Sequence, residues 1–236
     1  MKGLSIMTRL FLDTANIDEI RRFLSMGIGD GVTTNQKILL NEGTIDLKQR
    51  IVEICALKAD WPVCIETTTK TVDGLVAEAQ EYASWHHNVV IKVAMDKDGV
   101  GLRAAKRLHE QGIRTNLTAM VSLSQLYLAA EAGATYVSLF FNRARDVGID
   151  PVATVENAVR LLEAGTSAQL VCGSIRKPQD IEEILSAGAH IVTIPPKVID
   201  QMLFQPKTEE TIREFDEAWL RFSSQNDLRT PAYARA

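Results

Sequence analysis

The chain has 236 residues, 46% of them hydrophobic, enough to bury a large core in one or two domains. Lysine and arginine number 26 against 30 aspartates and glutamates, a net charge of −4 that speaks against a nucleic-acid or anionic-membrane surface. No apolar stretch approaches the ~18 residues that a membrane-spanning helix needs.

Short β-branched or apolar runs alternate with longer amphipathic stretches along the whole chain. Arg9 to Asp13 reads as a first strand, with a helix over Asp18 to Met26. Gly31 to Thr34 is a second strand, followed by a helix over Ile45 to Ala59. Pro62 to Thr67 and Val89 to Ala94 are the third and fourth strands, with helices at Val72 to Ser84 and Gly101 to Gln111. Arg114 to Thr118 and Thr135 to Phe141 follow, separated by a helix over Ser122 to Glu131. Pro151 to Glu163 and Pro178 to Ser186 are helical, and strands at Gln169 to Gly173 and His190 to Ile194 complete a set of eight.

Helix starts are marked by Asp98 before Gly99, by Ser122, by Asp150-Pro151, and by Lys177-Pro178 with acidic residues after it. Gly133, Gly165 and Gly188 fall where helices should stop. Eight alternating βα units with short connections imply a parallel sheet closed as a (β/α)8 barrel, with a doubly wound open sheet as the alternative. No linker-like or low-complexity tract interrupts the pattern, so residues 1–236 read as a single barrel domain. Two further helices are expected at Pro195 to Met202 and Thr208 to Phe222, the second within a helical extension at about 207–236. The last carries Ile212, Phe215, Trp219 and Phe222 at helical spacing, a face for packing on the barrel or for a subunit contact.

Barrel enzymes keep their chemistry at the carboxyl ends of the strands. Lys92 stands out there, because Val89-Val90-Ile91-Lys92-Val93-Ala94-Met95 places an amine in an apolar strand. Burial disfavours an ammonium, and a neutral amine attacks carbonyls, so imine chemistry is one reading. An edge lysine reaching water, or one neutralised by a structural carboxylate, is the other. Asp13, Thr33, Thr34, Asn35, Glu66, Asn116, Thr118, Ser138, Ser174 and Arg176 put polar groups at the ends of six further strands. Residues two apart share a strand face, so Thr33 with Asn35, Asn116 with Thr118, and Ser138 with Phe140 point together.

Competing motifs are weak. Gly27-Ile-Gly-Asp-Gly31 precedes a strand instead of following one, which argues against a dinucleotide fingerprint. His86-His87 lies at the amino end of the fourth strand with no further histidine nearby, so no metal site is expected. No cofactor is called for. Cys55, Cys64 and Cys172 form no CxxC pair and suit reduced thiols. With MKGLSIMTRL lacking the apolar core of a secretion signal, a cytoplasmic protein is expected.

With these residues assembled, the chain resembles the transaldolases, specifically the small subfamily that also contains fructose-6-phosphate aldolase. The resemblance is carried by Phe11-Leu-Asp-Thr14, Gly31-Val-Thr-Thr-Asn35, Val90-Ile-Lys-Val93, Thr115-Asn-Leu-Thr118 and Ala132-Gly-Ala-Thr-Tyr-Val-Ser138. It continues through Gly173-Ser-Ile-Arg176, Ile191-Val-Thr-Ile-Pro-Pro-Lys-Val198 and Met202-Leu-Phe-Gln-Pro-Lys-Thr208.

The resemblance implies that Lys92 is the Schiff-base lysine and Asp13 the acid/base at carbon–carbon cleavage. Glu66 and Thr118 would hold the catalytic water. Asn35, Asn116 and Ser138, supported by Thr33, would orient the dihydroxyacetone hydroxyls, and Arg143, Ser174 and Arg176 would bind the phosphate. For Arg143 and Arg176 a surface ion pair, with Asp146 or Asp180, is the competing reading. The aldolase branch has Gln in place of Glu66 and Tyr in place of Phe140, so the types here imply transfer of the three-carbon unit over its release. The implied substrates are sugar phosphates: sedoheptulose 7-phosphate or fructose 6-phosphate as donor and an aldose phosphate as acceptor, in the pentose phosphate pathway. A lyase releasing dihydroxyacetone, or a transferase for a non-standard sugar, are the alternatives. Small-subfamily relatives imply a pentamer or decamer.

The chain departs from the family's usual pattern at Gln36 and Ala94, where prolines are common. It departs again at Asn142 and at Cys172-Gly-Ser174. Asn142 and Lys37 would add polar groups near the mouth.

Overall fold

A computed structural model describes residues 7–226. Eight parallel strands pair in chain order and close into a barrel, β1 (Arg9–Asp13), β2 (Val32–Thr33), β3 (Val63–Glu66), β4 (Val89–Ala94), β5 (Thr115–Met120), β6 (Tyr136–Phe140), β7 (Gln169–Gly173) and β8 (Ile191–Ile194). Closure runs through β1 and β8, with Arg9 opposite Ile191 and Leu12 opposite Ile194. The open-sheet alternative is thereby excluded.

Helices alternate with the strands: α1 (Ile17–Ser25), α2 (Gln36–Asn41), α3 (Leu47–Leu57), α4 (Val72–Trp85), α5 (Val100–Glu110), α6 (Leu123–Glu131), α7 (Phe141–Asp146), α8 (Pro151–Gly165) and α9 (Pro178–Ser186). After β8 come α10 (Pro196–Leu203) and α11 (Pro206–Gln225). The short helices α2 and α7 escape the pattern reading because about one and a half turns are too few to show a period.

The helix signals resolve into particular hydrogen bonds. Ser122 and Asp150 accept the first N–H groups of α6 and α8. Asp98 does not play that part for α5. Asp96 accepts instead from the N–H groups of Asp98, Val100 and Gly101, at 2.9, 3.1 and 2.6 Å, and Gly99 starts the helix with φ +68°. Gly133 and Gly188 end α6 and α9 at positive φ, where a side chain would be strained. Gly165 is instead the last residue of α8, which Thr166 caps in an extended conformation.

Inside the barrel, strand parity stacks two layers. Phe11, Cys64, Val90, Tyr136, Val171 and Ile191 form one buried cluster. Phe11 meets Tyr136 edge-on, at 6.1 Å between ring centres. Gly31 is required beside them, since a Cβ there would lie 2.8 Å from the Phe11 ring. Two residues further along the same strands stand Asp13, Glu66, Lys92, Ser138, Gly173 and Thr193. The apolar layer is thus a plug beneath a polar one, and the polar layer opens to the cavity at the carboxyl-end mouth.

The chain divides into two compact units, 1–198 and 199–236. The first holds the barrel. In the second, α11 exposes Ile212, Phe215, Trp219, Leu220 and Phe222. The extension expected over about 207–236 is helical as far as Gln225, and residues 227–236 lie outside the described residues. No described helix is long and apolar enough to cross a membrane. The three cysteines are free and buried.

Candidate active site

Strand register delivers the central groups. Asp13 pairs with Thr33 across β1 and β2, while Glu66, Lys92 and Asn116 stand opposite one another across β3, β4 and β5. Lys92 is 5% exposed, its amine at the floor of a cavity of about 130 Å³ in the barrel mouth. Its Nζ donates to the Thr34 carbonyl oxygen at 2.8 Å and stands 3.4 Å from Glu66 Oε2. Both readings of Lys92 therefore meet here: the amine is buried and carboxylate-paired, and it also faces an open cavity. A structural ion pair has no need of that space.

Asp13 also lines the cavity. Burial pushes its carboxyl above the usual aspartate range; the Lys92 charge and the Thr33 hydroxyl oppose the shift, and Glu66 adds to it. The Thr33 hydroxyl, 2.7 Å from Asp13 Oδ1, donates to it and is also 2.5 Å from the Thr193 hydroxyl. Thr193 lines the cavity and was not singled out from the sequence. The signal was available, because Thr193 sits two residues after the inward Ile191 on the one strand credited with no polar end.

The opposite wall is built on β5 and β6. Ser138 donates to Asn116 Oδ1 at 2.6 Å, and Asn116 directs its amide toward Cys64 Sγ at 3.7 Å. Thr118 lines the cavity with a buried hydroxyl that has no hydrogen-bond partner among the described residues, so it is free to bond a guest molecule. The next residue, Ala119, has φ +65°, and the β5–β6 register slips between Leu117 and Met120. Such a bulge re-aims side chains at a strand end.

The rim carries the remaining expected residues. Asn35 lines the cavity while its side-chain oxygen accepts from Lys37 N and Ile38 N, capping α2. Gln36 opens α2 and donates to the Thr67 carbonyl at 3.2 Å, a tie that proline could not make. Phe140 and Arg143 line the cavity together, the guanidinium 4.7 Å from the ring centre. Ser174 reaches the cavity with φ +63°.

Two expected residues stand apart from the lining. Glu66 belongs to the site through Lys92. Arg176 is exposed and forms a two-pronged pair with Asp146, the competing reading weighed for it, and holds the Asp146 carboxyl below its usual range. Asn142, expected near the mouth, turns away from it and is buried against Ser174 and Asp180.

A buried amine paired with one carboxylate and sharing its cavity with a second, inside a closed parallel barrel and ringed by hydroxyls and amides, has the character of an enzyme site. A family model described as transaldolase/fructose-6-phosphate aldolase matches residues 10–232. The chain belongs to that family.

A Streptococcus equi subsp. zooepidemicus protein named "Probable transaldolase" is 39% identical over 215 residues, covering 91% of this chain and 99% of its own. One of the same name from Carboxydothermus hydrogenoformans is 42% identical over 211 residues, covering 89% and 97%. A solved structure described as a lactate oxidase from Pediococcus acidilactici superposes with a TM-score of 0.56 at 13% identity. It covers 79% of this chain, which spans 62% of that protein's length, and it shows the barrel fold alone.

Proposed function

We propose that the protein is a transaldolase that moves a dihydroxyacetone unit from a ketose phosphate to an aldose phosphate. The observation that carries this reading is the Lys92 amine at the cavity floor, 3.4 Å from Glu66 and in the field of a buried Asp13. Lys92 attacks the ketose carbonyl, and loss of water gives an imine. Asp13 removes the proton of the C4 hydroxyl. The C3–C4 bond then breaks with its electron pair drawn toward the imine nitrogen, leaving an enamine on Lys92 and a free aldehyde.

Transfer reverses these steps on the acceptor aldehyde, and Asp13 returns the proton to the new hydroxyl. Water held between Glu66 and the unpartnered Thr118 hydroxyl then hydrolyses the imine. Asn35, Asn116 and Ser138 orient the three-carbon hydroxyls, with Thr33 setting the Asp13 carboxyl. Arg143 and Ser174 receive the phosphate, and Arg176 joins them by exchanging Asp146 for the stronger phosphate partner.

Phe140 favours transfer over release of free dihydroxyacetone, since its ring offers no hydroxyl for activating water in that wall. Consumption of fructose 6-phosphate is measured with and without erythrose 4-phosphate, alongside borohydride trapping at Lys92. Turnover that needs the acceptor is the expected result; equal rates without it make the protein a lyase. No trapping on Lys92 removes the proposal.

Such substrates place the enzyme in the pentose phosphate pathway. An acidic chain with three free, buried cysteines supports a reducing, cytoplasmic setting. The exposed apolar residues of α11 support self-assembly, as a pentamer or decamer by family resemblance. The solution mass reads that number, and a monomer at micromolar concentration rules assembly out.

A further inference from the structure

The two groups that face the anion end of the cavity, Arg143 and Ser174, lie outside the strands, one on the short helix α7 and the other just after β7. Strand pairing therefore does not set the distance between them. Asn142, next to Arg143, does not line the cavity. It is 4% exposed, and its amide donates to the Ser174 carbonyl at 2.9 Å and to Asp180 Oδ2 at 2.7 Å. Asp180 is fully buried and also accepts from the N–H groups of Arg176 and Lys177, at 2.9 and 3.1 Å, and from Arg145 at 3.3 Å. Arg145 is further paired with Glu183, so the Asn142 and Arg145 links tie α7 to Ser174 and α9, while the Arg176 and Lys177 bonds fix the turn between β7 and α9.

Ser174 is a non-glycine residue at φ +63°, a strained conformation that persists only where surrounding bonds enforce it. Its carbonyl is held by Asn142, and the backbone two residues on is held by Asp180. Burial alone would raise the Asp180 carboxyl. The N–H groups of Arg176 and Lys177, the Asn142 amide and the Arg145 charge outweigh it, and the group stays below its usual range. A carboxylate ionised and bonded on both oxygens is a stiff anchor.

We propose that Asn142, through the buried Asp180 it engages, is a positioning residue that sets the spacing of an anion seat formed by Arg143 and Ser174. The inference rests on the transaldolase reading and specifies how the phosphate end of the donor is recognised. Donors held in place before binding need no ordering when the anion arrives, so loosening them weakens anion binding and spares chemistry at Lys92.

The test uses Asn142→Ala and the milder Asn142→Ser in the full chain. Three quantities are read: KM and kcat for fructose 6-phosphate, competitive inhibition by inorganic phosphate, and borohydride trapping of dihydroxyacetone on Lys92. In Asn142→Ala the KM and the phosphate inhibition constant rise about tenfold while kcat stays within about twofold, the result of losing the amide's bonds to the Ser174 carbonyl and to the Asp180 carboxylate. Dihydroxyacetone trapping is unchanged, and Asn142→Ser shows the same split at smaller amplitude.

Phosphate inhibition and KM equal to the parent's overturn the proposal. So does loss of trapping and kcat together in both variants, which would make Asn142 a general structural residue. A parent protein that traps no dihydroxyacetone overturns the transaldolase reading instead, so the two failures are distinct.

Discussion

Replacing Lys92 by methionine abolishes transfer, with kcat lower by on the order of 10⁴–10⁶-fold, because a nucleophile that forms the covalent intermediate has no substitute. Among the residues lining the cavity Lys92 is the sole amine; Arg143 offers a guanidinium, which does not replace an amine in imine formation. Methionine keeps most of the methylene packing against the strand neighbours. Glu66, with a side chain 17% exposed, keeps contact with water once its partner is gone, so the barrel persists. The measurement is steady-state turnover together with the mass added by borohydride in the presence of ketose. Activity within tenfold of the parent, or mass added at another lysine, would refute the imine assignment.

Asp13→Asn gives the second large effect. An amide cannot accept the C4 hydroxyl proton, so kcat falls by about 10²–10⁴-fold, the usual worth of a positioned acid/base. Imine formation does not need this group, and dihydroxyacetone is still trapped on Lys92. The change also alters stability in a definite direction. The folded pKa of Asp13 lies above its ordinary value, so the native state holds this proton more tightly than the unfolded chain. As pH rises from 3.8 through the folded value, the parent loses stability that the amide variant keeps. Asp13→Asn therefore melts higher than the parent at neutral pH, and the gap closes toward acid. A gap that widens toward acid, or trapping lost along with cleavage, would place the role of Asp13 elsewhere.

Much of this architecture was legible because two periods dominate it. The strand boundaries at β1, β4 and β7 coincide with their apolar runs, and parity alone points Lys92, Glu66 and Asn116 toward one interior. The same rule reaches Thr193, whose strand was passed over because its polar residue lies inside a β-branched run. By contrast, α2 and α7 are too short to show a period, and they carry Asn35 and Arg143 to the rim. Asp96 was missed as the cap of α5 because its bonds span five residues of turn, where Asp98 is merely nearer.

The order of residues along this chain determined a closed parallel barrel and an amine placed among polar strand ends. Alternation and spacing are local properties, and a period of two or 3.6 is written directly in the side chains. Which of those groups engage one another was decided only by folding. Arg176 turned to Asp146, Asn142 turned from the mouth to the Ser174 carbonyl, and Ala119 and Ser174 took left-handed conformations that no local preference selects. Those outcomes depend on contacts between residues 30 or more positions apart in the chain for the Arg176 and Asn142 bonds. They are settled by which partner satisfies a buried or charged group at least cost, a competition that exists only once the strands have closed.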